Sequence, residues 1–107
     1  MKTVLKSKVQ TIKVTSANVD YQGSLTVDED IMDNLGVCSY EQVFVNSKTG
    51  KGRVMTYFIP GPRGSKCCEL NGGAANHFQV SEIVHLLVFK IVSDTEVHEP
   101  TILYVNN

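Results

Sequence analysis

The chain has 107 residues, 42% of them hydrophobic, and its ten Lys and Arg against eleven Asp and Glu give a formal charge of −1. This length predicts one domain, and a near-neutral charge without a basic block argues against nucleic acid as a partner. No apolar run approaches the roughly 20 residues that span a bilayer, and no signal peptide follows Met1, so we expect a cytoplasmic protein that binds no membrane.

Most of the chain has the pattern of a β protein, because short blocks of β-branched residues alternate with turn formers. We predict a barrel or sandwich dominated by strands. The predicted strands cover residues 9–15, 24–27, 42–46, 53–59, 83–92 and 101–105.

One segment, residues 28–36, has the pattern of a short helix. Asp28 can cap its N-terminus, acidic residues occupy the first turn, and Gly36 can end it. Ile31 and Leu35 share one face. We interpret its carboxylates as capping and solvated groups rather than as metal ligands.

Three segments rich in glycine and small residues predict loops. Residues 46–52 favour a hairpin loop in which Gly50 can take a positive φ. Residues 60–65 and 71–76 contain too many breakers and small residues for regular structure. Backbone with so few side chains can approach a ligand or another chain closely, although a pair of tight turns explains the same letters.

The cysteines and histidines do not have the spacing of metal sites or of a disulfide framework. The cysteines are odd in number and lack a C-x-x-C pair, and the histidines are far apart along the chain. We therefore predict free thiols and no protein-bound metal. The residues concerned are Cys38, Cys67, Cys68, His77, His85 and His98.

The dipeptide Gly23–Ser24 offers chemistry in a chain that has no nucleophile elbow, P-loop or dinucleotide fingerprint. A serine hydroxyl can attack the carbonyl carbon of the preceding residue, and glycine leaves that approach open. The amide becomes an ester, loss of the serine Hα expels the Gly23 carboxylate, and hydrolysis of the dehydroalanine releases ammonia and leaves a pyruvoyl group. Gly-Ser is a common turn dipeptide and recurs at Gly64–Ser65, so context must decide.

That context is a series of collinear motifs that needs no gap between Lys8 and Ala75. The motifs are Lys8, Val14–Thr15, residues 20–28, residues 46–50, Arg53, Thr56–Tyr57, residues 63–65 and residues 71–75. Together they resemble the aspartate 1-decarboxylase family, pyruvoyl-dependent enzymes of pantothenate biosynthesis. The resemblance implies a mainly β, double-psi β-barrel with one or two short helices. It also implies a homotetramer in which the pyruvoyl group of one subunit lies near an interface.

The resemblance also implies roles for individual residues. Self-cleavage would fall between Gly23 and Ser24, assisted by Thr56, and would yield residues 1–23 and 24–107. Ser24 would become the covalent pyruvoyl group that forms a Schiff base with L-aspartate, in place of pyridoxal phosphate and without a metal. Tyr57 would donate the proton. The substrate-binding residues carried over by matched position are Lys8, Arg53, Asn71, Gly72, Gly73 and Ala74.

The side-chain chemistry is compatible with these roles. The planar fork of arginine can hold the substrate carboxylate that stays, and lysine can lie near the one that leaves. A phenol stays protonated at neutral pH and can protonate the carbanion. Strand alternation places Arg53 and Tyr57 on one face and Thr56 on the other. Either a bulge re-aims Thr56, or Thr56 serves the cleavage segment from the opposite face.

Three positions depart from the usual family pattern. Gly73 stands where alanine is usual, Met55 replaces a small residue, and His85 interrupts an apolar strand. We interpret His85 as a hydrogen-bonded strand histidine in preference to a new catalytic group. The departures leave open the same chemistry on another small amino acid, or a barrel that binds without cleaving. Whether cleavage needs a maturation factor also stays open.

Overall fold

A computed structural model describes all residues from 1 to 107 and shows a mainly β fold. The predicted double-psi β-barrel with one or two short helices is confirmed. No helix is long and apolar enough to cross a membrane. The elements are β1 (Lys2–Lys13), β2 (Ser16–Asn18), β3 (Ser24–Asp28), α1 (Glu29–Leu35), β4 (Gln42–Ser47), β5 (Arg53–Gly61), β6 (Cys68–Asn71), a 3-10 helix (Gly72–His77), β7 (Ile83–Val92) and β8 (Thr101–Tyr104).

The strands form one mixed sheet in the order β2-β6-β3-β5-β4-β7-β1-β8. The β4–β5, β4–β7 and β1–β7 pairs are antiparallel, whereas β3–β5, β2–β6 and β1–β8 are parallel. Parallel neighbours cannot be joined by a tight hairpin and so come from separate parts of the chain. As a result β3, which begins at Ser24, lies between two strands that come much later in the sequence.

The interior is filled by alternate residues of the strands, as the two-residue period of a strand requires. Helix α1 covers one end with Ile31, Met32 and Leu35. The buried apolar strand residues are Val9, Ile12, Leu25, Val27, Val43, Val45, Phe58, Cys68, Leu70, Val84, Leu86, Val88 and Val92.

The helix has the predicted ends. The Asp28 side chain accepts a hydrogen bond from the Asp30 amide at 2.8 Å, and Gly36 ends the helix in the left-handed conformation with φ of 72°. The prediction that its carboxylates cap the helix or are solvated is confirmed, because the three that do not cap it are 42% to 59% exposed, and Arg63 in the loop after β5 lies beside them. The guanidinium pairs with Glu29, Asp30 and Asp33.

All six predicted strands are present, but the structure adds two short strands and changes two of the predicted loops. Strands β2 and β6 were missed because they have three and four residues, too few to show a period. The loop predicted at residues 60–65 starts later, since Val27 pairs with Pro60 and extends β5 to Gly61. The loop predicted at residues 71–76 is instead the last residue of β6 and most of the 3-10 helix.

The hairpin between β4 and β5 forms where predicted, but its glycine acts differently. Gly50 does not have a positive φ. A Cβ there would lie 2.8 Å from Ser47 Oγ and 2.9 Å from Glu82 Oε2, so crowding by these side chains explains the glycine.

Candidate active site

The Gly23–Ser24 bond lies at the start of β3, against the end of β6. Ser24 pairs in register with Asn71, and the Asn71 side-chain amide donates to Ser24 Oγ at 3.0 Å and to Thr26 Oγ1 at 3.1 Å. The Ser24 hydroxyl donates to the Gln22 carbonyl at 3.4 Å. Ser24 and Asn71 are each only 6% exposed. The Ser24 hydroxyl oxygen is therefore held in place and shielded beside the bond that it would attack.

Gly72 packs directly against this segment. It has a φ of +71°, and a Cβ there would lie 2.6 Å from Gly23 Cα and N and 2.9 Å from Tyr21 O. Only glycine permits that approach. A Cβ on the neighbouring Gly73 would meet nothing within 4 Å. Gly23, Ser24, Asn71 and Gly72 are called the cleavage cluster below.

Two further predicted residues lie beside the cleavage cluster on β5. Strands β3 and β5 are parallel, and Leu25 pairs with Phe58. Extending that register by one residue places Tyr57 beside Ser24, and by two residues places Thr56 beside Gly23. Continued in this way, the register would bring both predicted β5 residues to the bond that would be cut.

Strand β5 is regular over these residues, which decides how Thr56 approaches. The ladder with β4 runs from Tyr57 to Arg53 without a register shift. Thr56 therefore lies on the face opposite to Arg53 and Tyr57. Of the two alternatives, a bulge at Thr56 is excluded, and Thr56 would reach the cleavage segment from the opposite face.

Tyr40 is a residue near the site that the sequence did not indicate. Its ring centroid is 6.2 Å from that of Tyr57, and its backbone is left-handed with φ of 72°. The Tyr40 amide donates to the Phe58 carbonyl at 2.8 Å, and the Phe58 amide donates to Glu41 at 3.0 Å. A bulky residue with positive φ has no recognisable sequence signal, because the conformation is imposed by these long-range hydrogen bonds.

The predicted carboxylate anchors lie away from the cleavage cluster. Arg53 precedes Tyr57 by four residues, roughly 13 Å along the strand. Lys8 is on β1, which is separated from β5 by β4 and β7. With strands about 4.8 Å apart, Lys8 lies roughly 14 Å across the sheet from β5. Along the sheet of one chain, Ser24, Arg53 and Lys8 are not neighbours.

Arg53 lies on a sheet face that is largely apolar and open, called the outer sheet face below. Met55 and Ile91 are 62% and 66% exposed on it. The rings of Phe44 and Phe89 meet edge to face at 5.6 Å. A cavity of about 500 Å³ on this face is lined by Phe44, Asn46, Arg53, Val54, Met55, Leu87 and Phe89. A monomer seldom exposes so continuous an apolar surface without a function for it.

The other end of β3 is anchored by Asp28, which is only 2% exposed. Burial alone would raise the pKa of its carboxyl, but the backbone N–H groups of Lys66, Asp30 and Gly64 outweigh it and hold the pKa below its usual value. Asp28 is thus an ionised structural group. No group of three or more His, Cys, Asp or Glu side chains is arranged to hold a metal ion.

Comparison with known proteins gives a consistent result. The family model described as aspartate decarboxylase matches residues 1–107. A protein of Heliobacterium modesticaldum named aspartate 1-decarboxylase is 41% identical over 104 residues, which cover 95% of this chain and 79% of the relative. Proteins with the same name from Phocaeicola vulgatus and Bacillus subtilis are 40% and 38% identical, over 94% and 99% of this chain and 89% and 85% of theirs.

Proposed function

The chain belongs to the aspartate decarboxylase family, and we propose on this basis that it converts L-aspartate to β-alanine and CO₂ for pantothenate biosynthesis in the cytoplasm. The single observation that carries the proposal furthest is the cleavage cluster. Its buried Ser24 hydroxyl accepts a hydrogen bond from Asn71, and Gly72 packs against Gly23 where no side chain would fit. This arrangement supports attack of the hydroxyl on the Gly23 carbonyl.

The residues around Ser24 fit the pyruvoyl group that the resemblance implies. Asn71 donates to Ser24 Oγ, the atom that would attack Gly23 and then leave as an oxygen of its carboxylate, and Gly72 leaves room where any side chain would intrude. Once formed, a pyruvoyl group supplies a carbonyl for the substrate amine and an adjacent amide that accepts electrons as CO₂ leaves. Gly72, Gly73 and Ala74, at the start of the 3-10 helix, would line the pocket.

The reacting groups of self-cleavage would all belong to this chain. The Ser24 oxygen attacks the Gly23 carbonyl carbon, and the Thr56 hydroxyl, beside Gly23, stabilises the developing oxyanion. The acyl group moves from nitrogen to oxygen, and removal of the Ser24 Hα then releases the Gly23 carboxylate. Water converts the remaining dehydroalanine to the pyruvoyl group and ammonia. The products are residues 1–23, with a free carboxylate, and residues 24–107.

Catalysis would use the opposite face of β5. Tyr57, beside Ser24, donates the proton that replaces CO₂. Arg53 holds the carboxylate that stays, because its planar fork matches a carboxylate in two parallel hydrogen bonds. Lys8 lies near the carboxylate that leaves. These roles need Arg53 and Lys8 close to a pyruvoyl group, which the sheet of one chain does not provide.

A second copy of the chain resolves this separation. The exposed apolar residues of the outer sheet face, such as Met55 and Ile91, would be buried against another subunit whose Ser24 then approaches Arg53. The homotetramer that the resemblance implies supplies such contacts. We therefore propose active sites built from two subunits.

Intact mass and a product assay test this function. Purified chain, alone and followed over days of incubation, should change from 11.8 kDa to fragments of about 2.5 and about 9 kDa, in proportion to their lengths. The cleaved protein should form β-alanine from L-aspartate. A chain that stays intact and inactive even with a cell extract, as a source of a maturation factor, would instead be a binding module. Cleavage with activity only on another amino acid would support the alternative substrate.

A further inference from the structure

One row of polar side chains crosses the apolar outer sheet face. Asn46 pairs with Arg53 on one side and with His85 on the other. Asn46 and His85 are half-buried, and Arg53 is exposed. Paired residues on neighbouring strands project to the same face about 5 Å apart. Arg53, Asn46 and His85 therefore form a continuous row over three strands, called the polar row below.

A β-bulge fixes the far end of the polar row. On β1, Val9 pairs with Leu86 and Ile12 with Val84, so two residues of β1 lie opposite the single His85. The carbonyl of Gln10, one of these two, accepts a hydrogen bond from His85 Nδ1. A bulge commonly re-aims a group next to a functional site. This one orients the His85 ring and leaves Nε2 without a partner in the chain.

Arg53 and Asn46 of the polar row line the cavity on the outer sheet face, and His85 is the next residue of the row, paired with Asn46. A carboxylate placed over Asn46 would have Arg53 on one side and His85 on the other. Asparagine donates through its amide, and histidine can donate through either ring nitrogen, of which Nε2 has no partner in His85. The three groups thus form a set of donors for one carboxylate.

We propose that Asn46 and His85 bind the side-chain carboxylate of the substrate together with Arg53. This assignment rests on the proposed function, because it places the substrate of that reaction. It explains the histidine within the apolar run from Ile83 to Phe89 as a substrate-binding residue.

Succinate, a dicarboxylate without an amine, is the probe, because its binding can be measured by calorimetry whether or not the chain is cleaved. Loss of one charge-assisted hydrogen bond should weaken succinate binding by roughly tenfold or more in His85→Leu. The same variant should raise KM for L-aspartate by a similar factor with little change in kcat, since the contact is equal in ground and transition states. His85→Gln, which keeps a donor, should recover part of the loss.

His98→Leu is the matched control. His98 Nε2 also bonds a backbone carbonyl, that of Lys6 at 3.1 Å, but it lies in the loop before β8 and away from the polar row. It should bind succinate like the unmodified chain. Equal succinate affinity and KM in His85→Leu, or an equal loss in His98→Leu, would overturn the proposal. His85-dependent succinate binding in a chain that makes no β-alanine would support the polar row and contradict only the proposed reaction.

Discussion

The cleavage cluster and the outer sheet face differ in how complete they are within one chain. In the cleavage cluster, Ser24 and Asn71 are buried and joined by a hydrogen bond, and the backbone of Gly72 packs directly against Gly23. The outer sheet face instead leaves Met55 and Ile91 exposed to solvent. Its predicted anchor Arg53 has no salt-bridge partner in the chain.

This difference separates making the cofactor from using it. A serine that attacks its own preceding carbonyl needs only neighbours within the chain, and β3, β5 and β6 supply them. In the proposed function, a free amino acid is held against the pyruvoyl group by Arg53 and Lys8, which lie on another part of the sheet. Variants in one region should therefore affect cleavage, and variants in the other should affect turnover of a correctly cleaved protein.

The largest effect is expected for Ser24→Ala, which removes the attacking oxygen. Neither the 1–23 fragment nor β-alanine should form, while the fold and the oligomer remain. Mass spectrometry and size-exclusion chromatography measure both. Ser65→Ala is the matched control, because Ser65 follows the other Gly-Ser bond and its hydroxyl donates to Pro62 O at 2.6 Å in a turn. A cut between residues 23 and 24 in Ser24→Ala would disprove the assigned nucleophile.

Tyr57→Phe should separate the two processes most clearly. Self-cleavage does not use the phenol, so fragments should form at the normal rate. Turnover of L-aspartate should fall by about 10² to 10⁴, the usual contribution of a positioned acid. Tyr104→Phe removes a phenol that is 73% exposed on β8 and should leave both rates unchanged. Full turnover by cleaved Tyr57→Phe would show that the proton comes from another group.

Gly72→Ala and Gly73→Ala compare adjacent glycines at the start of the 3-10 helix. The Cβ at position 72 would collide with Gly23 and would strain a residue with φ of +71°, so uncleaved chain should accumulate at least tenfold. The Cβ at position 73 meets no atom within 4 Å, so cleavage should be normal. The time course of the intact mass checks both. Equal cleavage of the two variants would mean that contact with Gly72 does not shape the cleavage segment.

Ile91→Asp tests whether the outer sheet face is an interface. An unpaired carboxylate there should dissociate the oligomer, since burying it costs several kcal/mol. Cleavage should persist while β-alanine formation falls by tenfold or more. Val97→Asp changes a residue that is 91% exposed in the loop between β7 and β8, and it should assemble normally. If light scattering shows that Ile91→Asp is a monomer and this monomer is fully active, the active site is not shared between subunits.

The cleavage cluster was largely predictable from the sequence, and the outer sheet face was not. Gly23–Ser24 and Asn71–Gly72 are short local motifs, and the family resemblance assigned both of them to one site. The strand that carries Asn71, β6, was missed because four residues show no period. Its position beside β3 depends on a pairing between distant segments, which no local pattern encodes.

The polar row shows a second limit of sequence reasoning. The alternation of β7 indicates that His85 points away from the core, but not what it faces. Its partner on β1 depends on a bulge between Val9 and Ile12, and its neighbour Asn46 depends on the register of β4 and β7. The distance between Lys8 and Arg53 likewise follows from strand order alone. Candidate roles could be inferred from the residue types, whereas the positions of these residues relative to one another depend on the strand order and register of the sheet.

Asp28→Ala should give the smallest effect, and it should change stability alone. It tests whether a weaker fold by itself impairs cleavage at the cleavage cluster or turnover at the outer sheet face. Asp28 caps α1 and accepts from the backbone amides of Gly64 at 3.1 Å and Lys66 at 2.8 Å. Losing these bonds should cost about 2 kcal/mol in the free energy of unfolding. Urea unfolding in the Ser24→Ala background, at fixed protein concentration, measures this cost without interference from cleavage.

The pH dependence gives the sign of the Asp28 contribution. Because folding lowers the pKa of Asp28 below 3.8, the stabilisation is fully present above that value and is lost as the pH falls through the lower folded pKa. The difference in stability between the chain with Asp28 and the Asp28→Ala variant should therefore shrink below about pH 4. Asp33→Ala, which removes one of three carboxylates around Arg63, should change stability little. A constant difference down to about pH 2 would mean that ionised Asp28 does not stabilise the end of β3. Normal cleavage and turnover by Asp28→Ala at neutral pH would show that the variants in the two regions lose function for chemical reasons and not because the fold is weakened.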